Sequence, residues 1–300
     1  MQIVAVTHIK GGVGKTTTAV NLAYLVAAAG RRCLLWDLDP QAAATWALRG
    51  DTAERTSARK LVAGKRELPE VVVASPYEGL DLLPADFSYR HFDRHLGARK
   101  HPTERLLRMT ASLRDHYDFL LLDCPPGISL LSENVLRAAD ALLVPMLPAP
   151  MSVRMLERLE GFLADEGWDD VVLLPFFSMV DRRRTLHVEV IDATRARYPA
   201  TLATEIPYWS EIERMSVRRA PLPAYAPHGA AAGLYASLLA EAVRSMRGVP
   251  EAGQLLACLA ARRYGPLPRM DADTEAPTPS AGVNAQPAPV GETAAPTAGA

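Results

Sequence analysis

Residues 10–16 read Lys-Gly-Gly-Val-Gly-Lys-Thr, directly after an apolar strand-like run and directly before a helical pattern. Glycines without side chains let consecutive backbone N–H groups curl around an anion, and the helix that follows adds its N-terminal partial positive charge. In such a loop Lys15 can reach the β- and γ-phosphates of a nucleotide, and the Thr16 hydroxyl can ligate Mg²⁺. Thr17, in the first helical turn, is placed to donate to the α-phosphate. The common phosphate-loop pattern needs a glycine five residues before Gly14, and that position is Ile9. The loop is therefore a variant with a second lysine, Lys10, at its start. One lysine is enough for the phosphates within a subunit, so the other is free to reach a nucleotide in a partner subunit.

Two more stretches carry carboxylates at the ends of apolar runs. The run Cys33-Leu34-Leu35-Trp36 leads into Asp37-Leu38-Asp39-Pro40-Gln41, and Phe119-Leu120-Leu121-Leu122 leads into Asp123-Cys124-Pro125-Pro126-Gly127. A carboxylate ending a buried strand is costly unless it is paired or linked to a metal. Asp123 fits a contact to Mg²⁺ through water. The alternative, a cap for the next helix, is weakened by Pro125-Pro126. Asp37 and Asp39 lie two residues apart, so on a strand they point the same way. Ordinary strand-end solvation remains open for Asp37.

The loop, the Asp-x-Asp-Pro-Gln segment and the Asp-Cys-Pro-Pro-Gly segment, in this order, resemble the motifs of the ParA/MinD family of deviant Walker A ATPases. The similarity is strong in the first half, weaker over 152–207 and absent from the tail. It implies a single P-loop NTPase domain of α/β class, with a mostly parallel twisted sheet and helices on both faces. It implies ATP and Mg²⁺ as cofactors, bound by Lys10, Gly11, Gly12, Val13, Gly14, Lys15, Thr16 and Thr17. Asp123 and Asp37 then lie near the metal, and Asp39 orients or activates the attacking water. Ser178-Met179-Val180-Asp181 is similar to the family segment at the adenine, as is the Ile206-Pro207 loop, which makes Ser178, Met179 and Pro207 base-site candidates. The closest match is to partition and positioning ATPases without an N-terminal helix-turn-helix. Such proteins hydrolyse ATP slowly, dimerise across ATP, bind DNA without sequence preference, and are reset by a stimulating partner protein. Their cargo is a plasmid, a chromosome or a protein assembly.

The rest of the chain agrees with that class. Strand-like runs at 3–7, 34–38, 80–84, 119–123, 141–144, 171–177 and 202–206 alternate with helical patterns at 16–29, 103–114, 153–166, 186–196 and 230–247. Continuous apolar strands separated by helices indicate a parallel sheet covered on both faces, with ligand sites at the strands' carboxyl ends. The expected domains are an ATPase domain over 1–250, a short helical extension over 251–265, and a Pro/Ala-rich tail over 266–300. That tail lacks aromatic residues and cannot bury enough apolar surface to offset the entropy of ordering, so disorder is expected there.

Composition excludes other classes. Nearly half the residues are hydrophobic, yet no apolar run approaches the ~18 residues of a membrane span. No basic start leads into a signal-type apolar core. Three scattered cysteines make neither a disulfide framework nor zinc spacing, which fits a reducing cytoplasm. Arg269 is the tail's one cation, against Asp271, Asp273, Glu275 and Glu292. Taking these out of the chain's 33 Lys and Arg and 34 Asp and Glu leaves 32 and 30, a mild positive excess.

Arginines cluster at 182–184, at 195 and 197, and at 214, 218 and 219. A stripe of positive charge suffices for phosphate contacts. By the resemblance, Arg218 and Arg219 are the leading DNA candidates, with a solvated, salt-bridged face as the alternative. A membrane-surface switch of the MinD type would need a basic amphipathic C-terminal helix. The short stretch 255–263 is the one candidate, and packing on the domain is the better expectation. A ligase of the same broad class is a third reading.

Overall fold

The computed structural model describes residues 1–49, 57–168 and 170–261. In chain order the elements are β1 (Gln2–Val6), α1 (Lys15–Ala28), β2 (Cys33–Asp37), α2 (Ala43–Arg49), α3 (Ala58–Val62), β3 (Val73–Ala74), β4 (Leu80–Leu83), α4 (Phe92–Gly97), α5 (Arg105–Thr110) and β5 (Phe119–Asp123). They continue with α6 (Leu130–Ala138), β6 (Ala141–Met146), α7 (Pro150–Asp165), β7 (Val172–Val180), α8 (Thr185–Arg197), β8 (Glu205–Pro207), α9 (Ser210–Glu213), α10 (Met215–Arg218), α11 (Leu222–Tyr225), α12 (Ala230–Ser245) and α13 (Ala252–Ala260).

Among the described residues the strands form one eight-stranded sheet in the order β3-β4-β2-β5-β1-β6-β7-β8. Every pairing is parallel except β3 with β4. The α/β architecture expected from the alternation is therefore present. Because side chains alternate along a strand, β1 feeds two cores. Val4 and Val6 join α1, α2, α12 and α13 on one face. Ile3 and Ala5 join α3, α4, α6, α7 and α8 on the other.

Local chemistry sets several boundaries. Gly30, with φ +79°, ends α1 by donating to the Ala27 carbonyl at 2.8 Å, a left-handed stop that glycine makes without strain. The last strand begins later than expected, at Glu205. The Glu241 carboxylate takes the Ala203 and Thr204 N–H groups, so those residues serve α12 rather than the ladder. α13 buries Leu255 and Leu259 in the core. Those side chains are thus committed to the domain and not offered to a lipid surface. The expected tail over 266–300 lies outside the described residues. Among the described residues no helix is long and apolar enough to cross a membrane.

Candidate functional site

The three carboxyl-terminal strand ends that carry the motifs are neighbours. In the ladder, Asp123 of β5 faces Val6 of β1 on one side and Asp37 of β2 on the other. The glycine-rich loop follows β1 and opens α1. Gly12 and Gly14 have φ +72° and +90°, values that strain any other residue. A Cβ on Gly14 would also meet the Ser178 hydroxyl at 3.0 Å. The loop therefore needs glycine both for its curl and for its approach to β7.

Both lysines are held at the backbone. The Lys15 side chain is 7% exposed, and its Nζ donates to the Lys10 carbonyl at 3.2 Å. Burial lowers its pKa, opposed by the Asp123 charge and then by Cys124 and Asp39. The Lys10 N–H donates to His8 Nδ1 at 2.9 Å, while its own side chain is exposed. The Gly127 N–H donates to the Ile9 carbonyl at 2.9 Å, which ties the Pro-Pro-Gly turn to the start of the loop. Val13, between Gly12 and Gly14, is fully buried.

The two strand-end aspartates are not equivalent. Asp37 Oδ1 accepts the Asp39 N–H at 3.1 Å, and Oδ2 accepts both the N–H and the hydroxyl of Thr45 at 2.8 Å. Asp37 thus organises the start of α2 as much as it faces the loop. Burial raises its pKa to about 6, against those hydrogen bonds. Asp123 is fully buried, and neither oxygen is in hydrogen-bonding geometry with a donor among the described residues. Burial, and then the Asp37 charge, push its pKa well up, while the nearby Thr16 hydroxyl and Lys15 favour its charged form. A buried carboxylate left open on both oxygens, beside a threonine hydroxyl and a buried lysine, suits a hydrated cation. Asp39 is partly buried and accepts the Gln41 N–H at 2.8 Å. Charge on a cation and on phosphates fits this set of donors and acceptors.

A cleft of about 410 Å³ continues from the loop. Gly14 and Thr17 line it together with Ser178, Met179 and Pro207. Met179 has φ +56°, at an irregularity in the β7–β8 register that turns the strand end toward the cleft. Sequence reasoning did not identify the opposite wall, made by Trp209, Ile212, Met215 and Tyr235. The only signal was the i, i+3 spacing of apolar residues 209, 212 and 215. Buried Asn21 fixes that wall to α1. Its amide donates to the Thr17 carbonyl at 2.8 Å and to Met215 Sδ at 3.1 Å, and its oxygen accepts the Leu222 N–H at 2.8 Å.

The arginine clusters separate by partner. Arg182 and Arg195 share Glu205 at 2.6 and 2.9 Å, Arg183 pairs with Asp181 at 2.8 Å, and Arg197 with Glu157 at 2.6 Å. These charges are largely neutralised within the fold. Arg214 and Arg218 are exposed and have no carboxylate partner among the described residues. Arg219, half-buried, stacks on Trp46. All three leave the same segment, 209–219, whose inner side is the wall of the cleft.

A glycine cradle after a central strand, with an open carboxylate at the end of the adjacent strand, defines a P-loop nucleotide-binding protein. A family model described as an AAA domain matches residues 1–164. The chromosome partitioning protein ParA of Caulobacter vibrioides is 34% identical over 208 residues, 66% of this chain and 77% of that protein. A ParA family protein of Chlamydia pneumoniae is 30% identical over 258 residues, 83% of this chain and all of that protein. Among solved structures, cobyrinic acid a,c-diamide synthase of Mycobacterium smegmatis with bound ATP analogue and magnesium is 29% identical. Its TM-score is 0.64, over 73% of this chain and 93% of that one. The chain belongs to the ParA/MinD family of P-loop ATPases.

Proposed function

We propose that this protein is a partitioning or positioning ATPase that binds ATP with Mg²⁺, dimerises across it, and holds non-specific nucleoid DNA in the cytoplasm until a stimulating partner triggers hydrolysis. The observation that carries the reading is the double use of residues 209–219. One side of this segment lines the cleft beside the phosphate loop, and the other carries Arg214, Arg218 and Arg219. A base seated against Trp209, Ile212 and Met215 orders the same segment that presents unpaired positive charge. The similarity to the chromosome partitioning protein of Caulobacter vibrioides supports partitioning as the task.

The residues take separable roles. Lys15 exchanges its bond to the Lys10 carbonyl for the β/γ-phosphates. Thr16 and Asp123 would hold the cation, and Asp37 fixes the start of α2 beside them through Thr45. Bound Mg²⁺ supplies neutralisation of phosphate charge. Asp39 orients the attacking water and receives its proton, and Lys10 reaches across to the partner's nucleotide. Phosphoryl transfer needs little beyond such positioning and charge, which fits slow intrinsic turnover.

The test is retention of the protein on non-specific duplex DNA with ATP, ADP or no nucleotide, across a salt series. Binding only with ATP, falling steeply with salt, is expected. ATP hydrolysis without ATP-dependent DNA retention would overturn the DNA part of the reading.

A further inference from the structure

A second concentration of positive charge lies on the other face of the sheet. α3 and α4 send Ala58, Leu61, Phe92 and Leu96 into one core, whereas Met215, beside Arg218, belongs to the opposite core. Outward from α3 and α4 stand Arg59, Lys60, Arg94 and, just past α4, Arg99, all exposed. None has a carboxylate partner among the described residues. The paired carboxylates nearby are used elsewhere: Glu70 by Arg66, and Glu104 by Arg108 and Arg137. Asp86 and Asp93 accept the Ser88 N–H at 2.7 Å and the Leu131 N–H at 2.8 Å and keep their charge, so the four exposed cations outnumber these two carboxylates.

These cations crowd one another. His95, on α4, is held below its ordinary pKa by burial and then by Arg94, His91, Arg59 and Arg99. An inert solvated face mixes signs, as Arg197 and Glu157 do between α8 and α7. Here cations predominate, an excess that opposes folding and favours an anion. The patch offers almost no apolar anchor. Its exposed aromatic ring, Phe87, has the Arg90 guanidinium 3.9 Å above its centre. Protein interfaces draw their energy from buried aromatic and apolar anchors. A phosphate backbone asks only for cations, and guanidinium groups suit it best.

We propose that the α3–α4 face is a second surface for the phosphate backbone of duplex DNA, so that one subunit holds two duplexes, one on each side of its sheet. The inference rests on the DNA reading for Arg214, Arg218 and Arg219. Duplex DNA is stiff over about 150 bp, so one duplex lying along residues 209–219 does not turn back to reach α4. Two contacts mean two segments. The protein then cross-links its matrix as well as riding on it.

The test is a two-duplex capture. Protein with ATP is loaded on an immobilised duplex and washed, and a fluorescent second duplex is added. Wild type is expected to capture it. Arg94→Glu with Arg99→Glu should stay on the first duplex and hydrolyse ATP normally, yet capture at least about tenfold less of the second. Arg94→Lys with Arg99→Lys should retain most capture, which separates charge from misfolding. Normal retention with no second-duplex capture by wild type, or capture unchanged in the glutamate variant, overturns the second surface alone. So does capture of polyglutamate in place of the second duplex, which would assign the face to an acidic protein. Failure of wild type to stay on the first duplex would remove the DNA reading itself and this inference with it.

Discussion

The Arg219 guanidinium lies 3.8 Å from the centre of the Trp46 ring. Arg219 holds a left-handed φ of +52°, uncommon for a side chain of its size. Its stack fastens the end of α10 to α2. Thr45, the residue before Trp46, is bonded to Asp37 in the phosphate site. Surface charge and site carboxylate are thus joined through two adjacent residues of one short helix. A cation–π contact at an exposed site contributes about 0.5–1 kcal/mol. Trp46→Ala should therefore lower ATP-dependent DNA retention about two- to fivefold, with hydrolysis unchanged. Retention equal to wild type would mean that Arg219 needs no support or touches no DNA.

Lys10 has its backbone committed in both directions, to His8 through its N–H and to Lys15 through its carbonyl, while its side chain points into solvent. Such a lysine can serve a second subunit without disturbing its own loop. Lys10→Ala should bind ATP about as well as wild type, sediment as a monomer with ATP, and lose at least about tenfold in turnover. Lys15→Ala should lose ATP binding itself. A Lys10→Ala protein that still dimerises with ATP would show that the lysine does not act in trans.

How much of this was visible in the chain follows from the range of each interaction. The loop was legible because a curled anion nest needs glycine at Gly12 and Gly14 whatever surrounds it. Asp123 was legible because a carboxylate closing five buried strand residues calls for a partner. The engagement of Asp37 was not, since its partner Thr45 lies in a short helix that no apolar period announced. α6 was missed although its Ser129–Ser132 capping pair and the spacing of Leu131, Val135 and Ala138 are helix signals; at nine residues it spans too few turns for that period to stand out beside the apolar strand that follows. Arginine pairing was hidden as well. Arg182 and Arg195 meet at Glu205 across 23 and 10 residues, and only the folded β7–β8 edge brings them together.

The Thr45 hydroxyl works twice. It donates to Asp37 Oδ2 at 2.8 Å and accepts the Ala85 N–H at 3.0 Å. All three groups are buried. Thr45→Val keeps the shape but leaves the Ala85 N–H unpaired, at a cost of about 1–3 kcal/mol. For a domain of this size that lowers Tm by roughly 2–12 °C. Thr45→Ser should recover most of the loss. A valine variant that melts with wild type would mean that water replaces the hydroxyl, and that α2 does not depend on this bond.

His8 should give the fold a measurable sensitivity to acid. The side chain is 4% exposed, its Nδ1 accepts the Lys10 N–H, and its buried Nε2 has no partner among the described residues. Burial lowers its pKa from 6.5 to about 4, aided by the Lys15 and Lys10 charges and opposed by the bond to the Lys10 backbone. The unfolded chain takes up a proton at this position below pH 6.5, and the folded one only near pH 4. Between the two the unfolded state holds more protons, so stability falls as pH falls. The full effect is at most roughly 3 kcal/mol. Asparagine can accept the same N–H and does not titrate. His8→Asn should therefore lose less stability than wild type between pH 6.5 and about 4 in urea denaturation. Asp37, raised by burial to about 6, contributes a slope of opposite sign. It is common to both proteins and cancels in the difference. Parallel curves for the two would mean that His8 leaves its pocket and is solvated before it takes up its proton.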